Sequence, residues 1–164
     1  MLRALFRIVL LTILVISCSG PVRQERGKLY PPIPKKQVEK LSKYAHKHIG
    51  QPYKYGGLNS RGWDCSGFVY KMYLNVLSVR LPRSTDDLYS SVQLIPSSRV
   101  KPGDLAFFKI GSSKPSHVGI YLGKNKFIHV TRSSGVVISS FKDDYYRKHF
   151  IGFGRLNTVQ LALK

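Results

Sequence analysis

Sulfur is scarce in this chain. Cys18 and Cys65 are its two cysteines among 164 residues, and two methionines complete the count. Acidic side chains are scarce as well, eight against 27 Lys and Arg, which leaves a formal charge of +19. A field of that size favours polyanions. No zinc, helix-turn-helix or aromatic RNA-binding signature accompanies it, which argues against a nucleic-acid reader. A long hydrophobic run is missing too. The stretch "IVLLTILVI" at 8–16 falls well short of the roughly 20 residues of a comfortable membrane span. There is no internal repeat. What remains is a length suited to one domain and a hydrophobic content of 43%, which excludes wholesale disorder.

The beginning of the chain is set apart from that domain. Two arginines in "MLRALFR", the short apolar run and then the small residues "SCSG" follow the order of a secretory signal. This resembles the bacterial lipoprotein type, with Val15-Ile16-Ser17-Cys18 as the lipobox and Cys18 as the acylated first residue of the mature chain. By the same resemblance Ser19, standing where Asp would retain a lipoprotein at the inner membrane, implies outer-membrane sorting in a Gram-negative cell. An uncleaved anchor helix is the other reading. The expected organisation is a signal over 1–17, a lipidated cysteine with a basic, Pro-rich tether over 18–34, a folded domain over 35–157 and a tail over 158–164. Removing the signal takes away the charges of Arg3 and Arg7 and leaves +17. A tethered, exported chain of that charge is placed to meet anionic lipid head groups or cell-wall carboxylates.

If Cys18 is acylated, Cys65 has no partner in a compartment where paired cysteines oxidise, so it is a candidate reactive group. A buried, inert core cysteine is the alternative. Its position favours reactivity. Asp64 is a plausible N-cap, and Cys65, Phe68, Val69, Met72, Tyr73 and Val76 make an apolar helical stripe with the thiol first. Converging N–H groups and the helix dipole favour thiolate there. The charge of Asp64 opposes this, so another positive group is needed.

Around that helix the pattern predicts helices first and strands later. Val38, Leu41, Ala45 and Ile49 share a helical face that closes at Gly50. His46 and His48 near its end carry no assigned chemistry. Ser84 and Asp87 stand at capping-box spacing. From Pro102 onward come five β-rich runs, "DLAFFKI", "SHVGIYL", "KFIHVT", "GVVISS" and "FIGFGRL". The expected fold is α+β, with an antiparallel sheet packed on the Cys65 helix.

Two of those strands carry histidines. His117, Gly119 and Tyr121 share one face, as do Phe127, His129 and Thr131. A three-residue hairpin over "GKN" sets His129 opposite Gly119 and diagonal to His117, about 7–8 Å away at Cα. A two-residue loop would put the histidines on opposite faces. With the lone cysteine they are the parts of a thiolate–imidazolium pair and its orienting residue.

Six segments, "PYKYGG" at 52–57, "DCSGFV" at 64–69, "LPRST" at 81–85, "KPGDLAFF" at 101–108, "HVGIYLG" at 117–123 and "FIHV" at 127–130, together resemble the NlpC family of papain-like cell-wall cysteine peptidases. The resemblance implies Cys65 as nucleophile, His117 as general base, His129 as its orienting residue, and Tyr53 and Ser66 at oxyanion or substrate-facing positions. The solitary position of Cys65 at a helix start adds the expectation of an ion pair between its thiolate and His117. The resemblance further implies peptidoglycan as the substrate, cut at a D-glutamyl–diaminopimelate or D-alanyl–diaminopimelate bond. No cofactor, no metal, no nucleic-acid partner and a monomeric state are expected as well. Acyl transfer through the same thioester, a Cys/His/His zinc site and a non-catalytic wall-binding lipoprotein are the rivals.

Overall fold

A computed structural model describes residues 30–156. Cys18, the signal expected over 1–17, most of the tether and the tail lie outside the described residues. In chain order the elements are α1 (Lys35–His46), β1 (Leu58–Asn59), β2 (Gly62–Trp63), α2 (Cys65–Leu77), α3 (Thr85–Ser91), β3 (Gln93–Ile95), a 3-10 turn (Ser97–Arg99), β4 (Leu105–Phe108), β5 (His117–Gly123), β6 (Lys126–Thr131), β7 (Gly135–Ser140), α4 (Asp144–His149) and β8 (Phe150–Arg155). Six strands form one antiparallel sheet in the order β3-β8-β4-β5-β6-β7, and β1 pairs with β2 alone. The fold is α+β, as the order of periodicities predicts.

Alternation along the strands explains how the sheet is sandwiched. Leu105, Phe107, Val118, Ile120, Ile128 and Val130 join Phe68, Val69, Met72 and Tyr73 of α2 in one buried cluster. Ala106, Phe108, Tyr121, Phe127 and Phe153 form a second cluster, closed by Phe141, Tyr146 and Phe150 around α4. Helix α2 lies on β5 and β6, and α1 packs on α2. The histidines, one register step from Val118 and Val130, belong to the aromatic face rather than to the face that α2 covers.

Two ion pairs pin the frame. Arg155, at the end of β8, donates to both carboxylate oxygens of Asp104 at 2.7 Å, while Lys101 N donates to Asp104 at 2.7 Å and Arg155 to the Arg99 carbonyl at 2.9 Å. With every charged oxygen bonded, this pair can remain almost wholly buried. The second pair, Asp64 with Arg83, lies beside the site.

Helix α1 is shorter than its sequence pattern. It ends at His46, and Ile49 is 46% exposed. Tertiary hydrogen bonds outweigh the periodicity: residues 47–50 turn so that Gly50 N can donate to the Val136 carbonyl at 2.9 Å, with Val136 N donating to Gln51 O at 2.9 Å. His48 goes inward instead, packing edge-on against Tyr44 and Trp63.

Candidate active site

Helix α2 begins as its sequence demands. Asp64 adopts an extended backbone and its Oδ1 accepts from Gly67 N at 2.6 Å. Cys65 follows in the first turn. Its Sγ lies 3.9 Å from the carbonyl of Ser116 and 3.8 Å from Thr85 Oγ1. Ser116 immediately precedes β5, so the thiol meets the sheet at the strand end where His117 stands. In this way a helix on one face and histidines on the other converge on a single edge.

The histidines are joined. His117 Nε2 and His129 Nδ1 are 2.8 Å apart, and His129 Nε2 is 2.8 Å from Ser139 Oγ on β7. Nδ1 is thus the ring nitrogen of His117 left for the thiol. The hairpin behind this alignment is of an unexpected kind. Its turn is two residues, Lys124 and Asn125, with φ of 51° and 59°, which alone would split the histidines between faces. An extra residue between the pairs Tyr121↔Phe127 and Gly123↔Lys126 shifts the register by one and restores them to the same face. Gly119 lies against His129: a Cβ there would stand 3.0 Å from His129 Cβ and 2.8 Å from the Ile128 carbonyl. A side chain at 119 would press on the backbone of β6 that carries His129.

An open cleft with a volume of about 600 Å³ contains Tyr53, Cys65, His117 and His129 together. The Ser66 side chain is not brought into it. That hydroxyl is buried, accepts from Arg83 Nη1 at 2.9 Å and donates to Asp64 at 3.4 Å. That side chain braces the helix cap. Arg83 also donates to Asp64 through both terminal nitrogens, at 2.9 and 2.5 Å. It is the positive group that the charge at the helix cap requires.

Electrostatics set the resting state. Burial pushes the Cys65 thiol up, opposed by Thr85 and by the backbone of Val118 and Ser66, and Asp64 adds to the rise. Burial lowers His117 to about 4, and burial followed by the His117 charge lowers His129 to about 3. Desolvation thus opposes the helix end and disfavours both the thiolate and the imidazolium. Burial therefore works against the ion pair expected from the sequence.

Three contributors went unread in the sequence. Arg83 was within reach as the basic residue of "LPRST". Ser139 could be found by counting back along the β6–β7 hairpin, where His129 opposes Val137 and Ser139 stands two residues on. Helix α4 was hidden in "DDYYRKH". It brings Tyr146 edge-on to His129, with ring centres 5.1 Å apart, and Phe127 lies over the same imidazole at 4.6 Å.

A thiol at a helix start, set against an imidazole pair on an antiparallel sheet, defines the papain-like class of fold. Residues 50–155 match the NlpC/P60 family, and the chain belongs to it. It is 38% identical over 133 residues to the murein DD-endopeptidase MepH of Escherichia coli (strain K12), covering 76% of this chain and 49% of that relative. It is 35% identical over 151 residues to a probable endopeptidase of Haemophilus influenzae, covering 88% and 92%. The chain therefore spans about half of the Escherichia coli relative and nearly all of the Haemophilus one. Among solved structures, an NLP/P60 family protein of Staphylococcus aureus, described as similar to lipoprotein, superposes with a TM-score of 0.72 at 29% identity, over 79% of this chain and 44% of that one.

Proposed function

We propose that this protein is a peptidoglycan hydrolase that cuts peptide crosslinks by thiol catalysis, acting as a DD-endopeptidase on the D-alanyl–diaminopimelate bond. The observation that carries the reading is the 2.8 Å His117–His129 contact, opening on the same cleft as a lone cysteine at a helix N-terminus. The name of the Escherichia coli relative supports the choice of bond.

In this mechanism His117 Nδ1 takes the proton of Cys65 as Sγ attacks the amide carbonyl. His117 Nε2–H donates to His129 Nδ1, and His129 Nε2–H donates to Ser139 Oγ, so each hydrogen bond fixes the tautomer of the ring before it. The α2 N-terminus, the Cys65 N–H and the Tyr53 hydroxyl face the developing oxyanion. Imidazolium then protonates the leaving amine, and water hydrolyses the thioester. Thiol and imidazole start uncharged, so the charge separation arises only as the substrate is attacked.

Cys18 is the proposed lipid anchor and 18–34 the tether that holds a monomeric domain over 35–157 at the cell envelope, facing peptidoglycan. Tethering raises its concentration at the wall, and the basic surface adds a salt-sensitive attraction to wall carboxylates. The test is digestion of purified sacculi, with soluble products identified by mass. New free amines at crosslinks, absent with Cys65→Ala, are the expected result. Binding without new ends would favour the non-catalytic reading, and products carrying a transferred acyl group would favour acyl transfer.

A further inference from the structure

One wall of the cleft carries a charge that the triad chemistry does not use. Arg132 lines the cleft with Tyr53 and the histidines, and its guanidinium carbon lies 6.0 Å from the centre of the Tyr53 ring. Its side chain is exposed, and among the described residues no carboxylate is paired with it. None of the described residues lining the cleft is acidic. The nearest thing to a counter-ion is the face of Tyr53, which holds a guanidinium weakly and leaves its N–H fork free.

The position of Arg132 is fixed by its backbone. It sits at the tip of the β6–β7 hairpin, where Ser134 N donates to Thr131 Oγ1 at 3.0 Å. Gly135, at φ 65°, presses that tip against the segment bearing Tyr53: a Cβ there would fall 1.9 Å from the Gln51 carbonyl oxygen. The hydrogen bonds of Gly50 and Gln51 to Val136, both 2.9 Å, complete the join. A cation on an anchored tip, beside one cleft wall and lacking an acid, is built to receive an acid from outside. The planar fork of arginine suits a carboxylate above other anionic groups of a peptide.

We propose that Arg132 is a specificity residue that grips a free carboxylate of the substrate beside the bond to be cut. Peptides with that carboxyl free are then preferred over the same peptides with it amidated. This deepens the hydrolase reading and rests on it.

Two synthetic crosslinked stem peptides test it, identical except for carboxylate or carboxamide on the residue flanking the scissile bond. The wild type should favour the acid by roughly tenfold in kcat/KM, through KM, as a charge-assisted hydrogen bond at an exposed site allows. The ratio should collapse towards one in Arg132→Gln and be partly kept in Arg132→Lys. Displacement of Tyr53 alone would slow both peptides and leave their ratio intact. Dissociation constants of both peptides for Cys65→Ala should show the same preference without turnover. If neither peptide is cleaved, the hydrolase reading fails while the ratio of dissociation constants still judges Arg132. Equal treatment of acid and amide by the wild-type site, or an unchanged ratio in Arg132→Gln, would overturn the inference.

Discussion

The two halves of the site are built on different principles. The thiol half is local: Asp64 caps α2, Cys65 follows it, and Arg83 neutralises the cap, so a short sequence and one ion pair define it. The imidazole half depends on strand pairing: His117, His129 and Ser139 come from three strands and meet only because two hairpins hold the correct register. A local device tolerates change elsewhere in the fold. A register device fails at a distance, because a slip of one residue turns every side chain over. The halves also differ in surroundings, with polar groups and a salt bridge around the helix cap and aromatic rings around His129.

The sharpest way to break the comparison is to remove one reacting group from each half. Cys65→Ser and His117→Gln should each lower hydrolysis of sacculi by at least about 10⁴-fold, and the double variant should be no worse than either single one, since the groups act as a unit. Circular dichroism should show both variants folded. Substantial turnover by His117→Gln would remove it from the role of base.

Next in size is the orienting position. His129 has only to accept from His117 Nε2–H, which an amide oxygen can also do. His129→Asn or His129→Gln should retain measurable turnover, about tenfold below wild type, whereas His129→Ala should fall about a hundredfold because it offers no acceptor. A dead but folded His129→Asn beside an active His117→Gln would exchange the two roles.

The same contrast between local and paired devices explains what could be read from the residues alone. Helix α2, its cap and the five C-terminal strands follow from period and turn chemistry within a dozen residues. The α3 cap was legible too, with Ser84 Oγ accepting from Asp87 N at 3.1 Å. The shared face of His117 and His129 was reached through a three-residue loop, whereas the chain uses a two-residue turn and a bulge. A bulge leaves no periodic trace, so the outcome was legible and its cause was not. The end of α1 was misjudged because hydrogen bonds to Val136, some 86 residues away, decide it. The charge state of the thiol is less legible for a related reason. A helix dipole can be read from a sequence, but the burial that opposes it is a property of the assembled site.

Acidity separates the halves further. His117 must be neutral to accept the thiol proton, and burial lowers it to about 4. Hydrolysis should therefore hold nearly level from neutral pH down to about 4 and then fall about tenfold per pH unit. The folded state prefers neutral imidazole, so the unfolded chain binds more protons between about 6.5 and 4, and stability should decline as pH drops through that window. Cys65, raised by burial, should be alkylated slowly below pH 7 in the free enzyme. Rapid alkylation at pH 5, which requires the thiolate to persist there, would restore the thiolate–imidazolium pair.

The smallest effect concerns the end of the relay. Ser139 touches neither thiol nor substrate cleft; its Oγ lies 2.8 Å from His129 Nε2, so any effect on catalysis passes through two rings. In Ser139→Ala the His129 ring keeps its packing against Phe127 and Tyr146 but loses the partner that fixes its tautomer. A ring free to place its proton on Nδ1 can no longer accept from His117, and that fraction of the enzyme is misassembled. With aromatic packing still holding the ring plane, the loss should be severalfold in kcat with KM unchanged, smaller than for His129→Ala. Ser139→Thr keeps the hydroxyl and should recover most of the rate. Combining Ser139→Ala with His129→Gln makes the test specific, because the amide has no tautomer to fix. The serine change should then cost little on that background, and a full additive loss would mean that Ser139 acts on the fold rather than through His129.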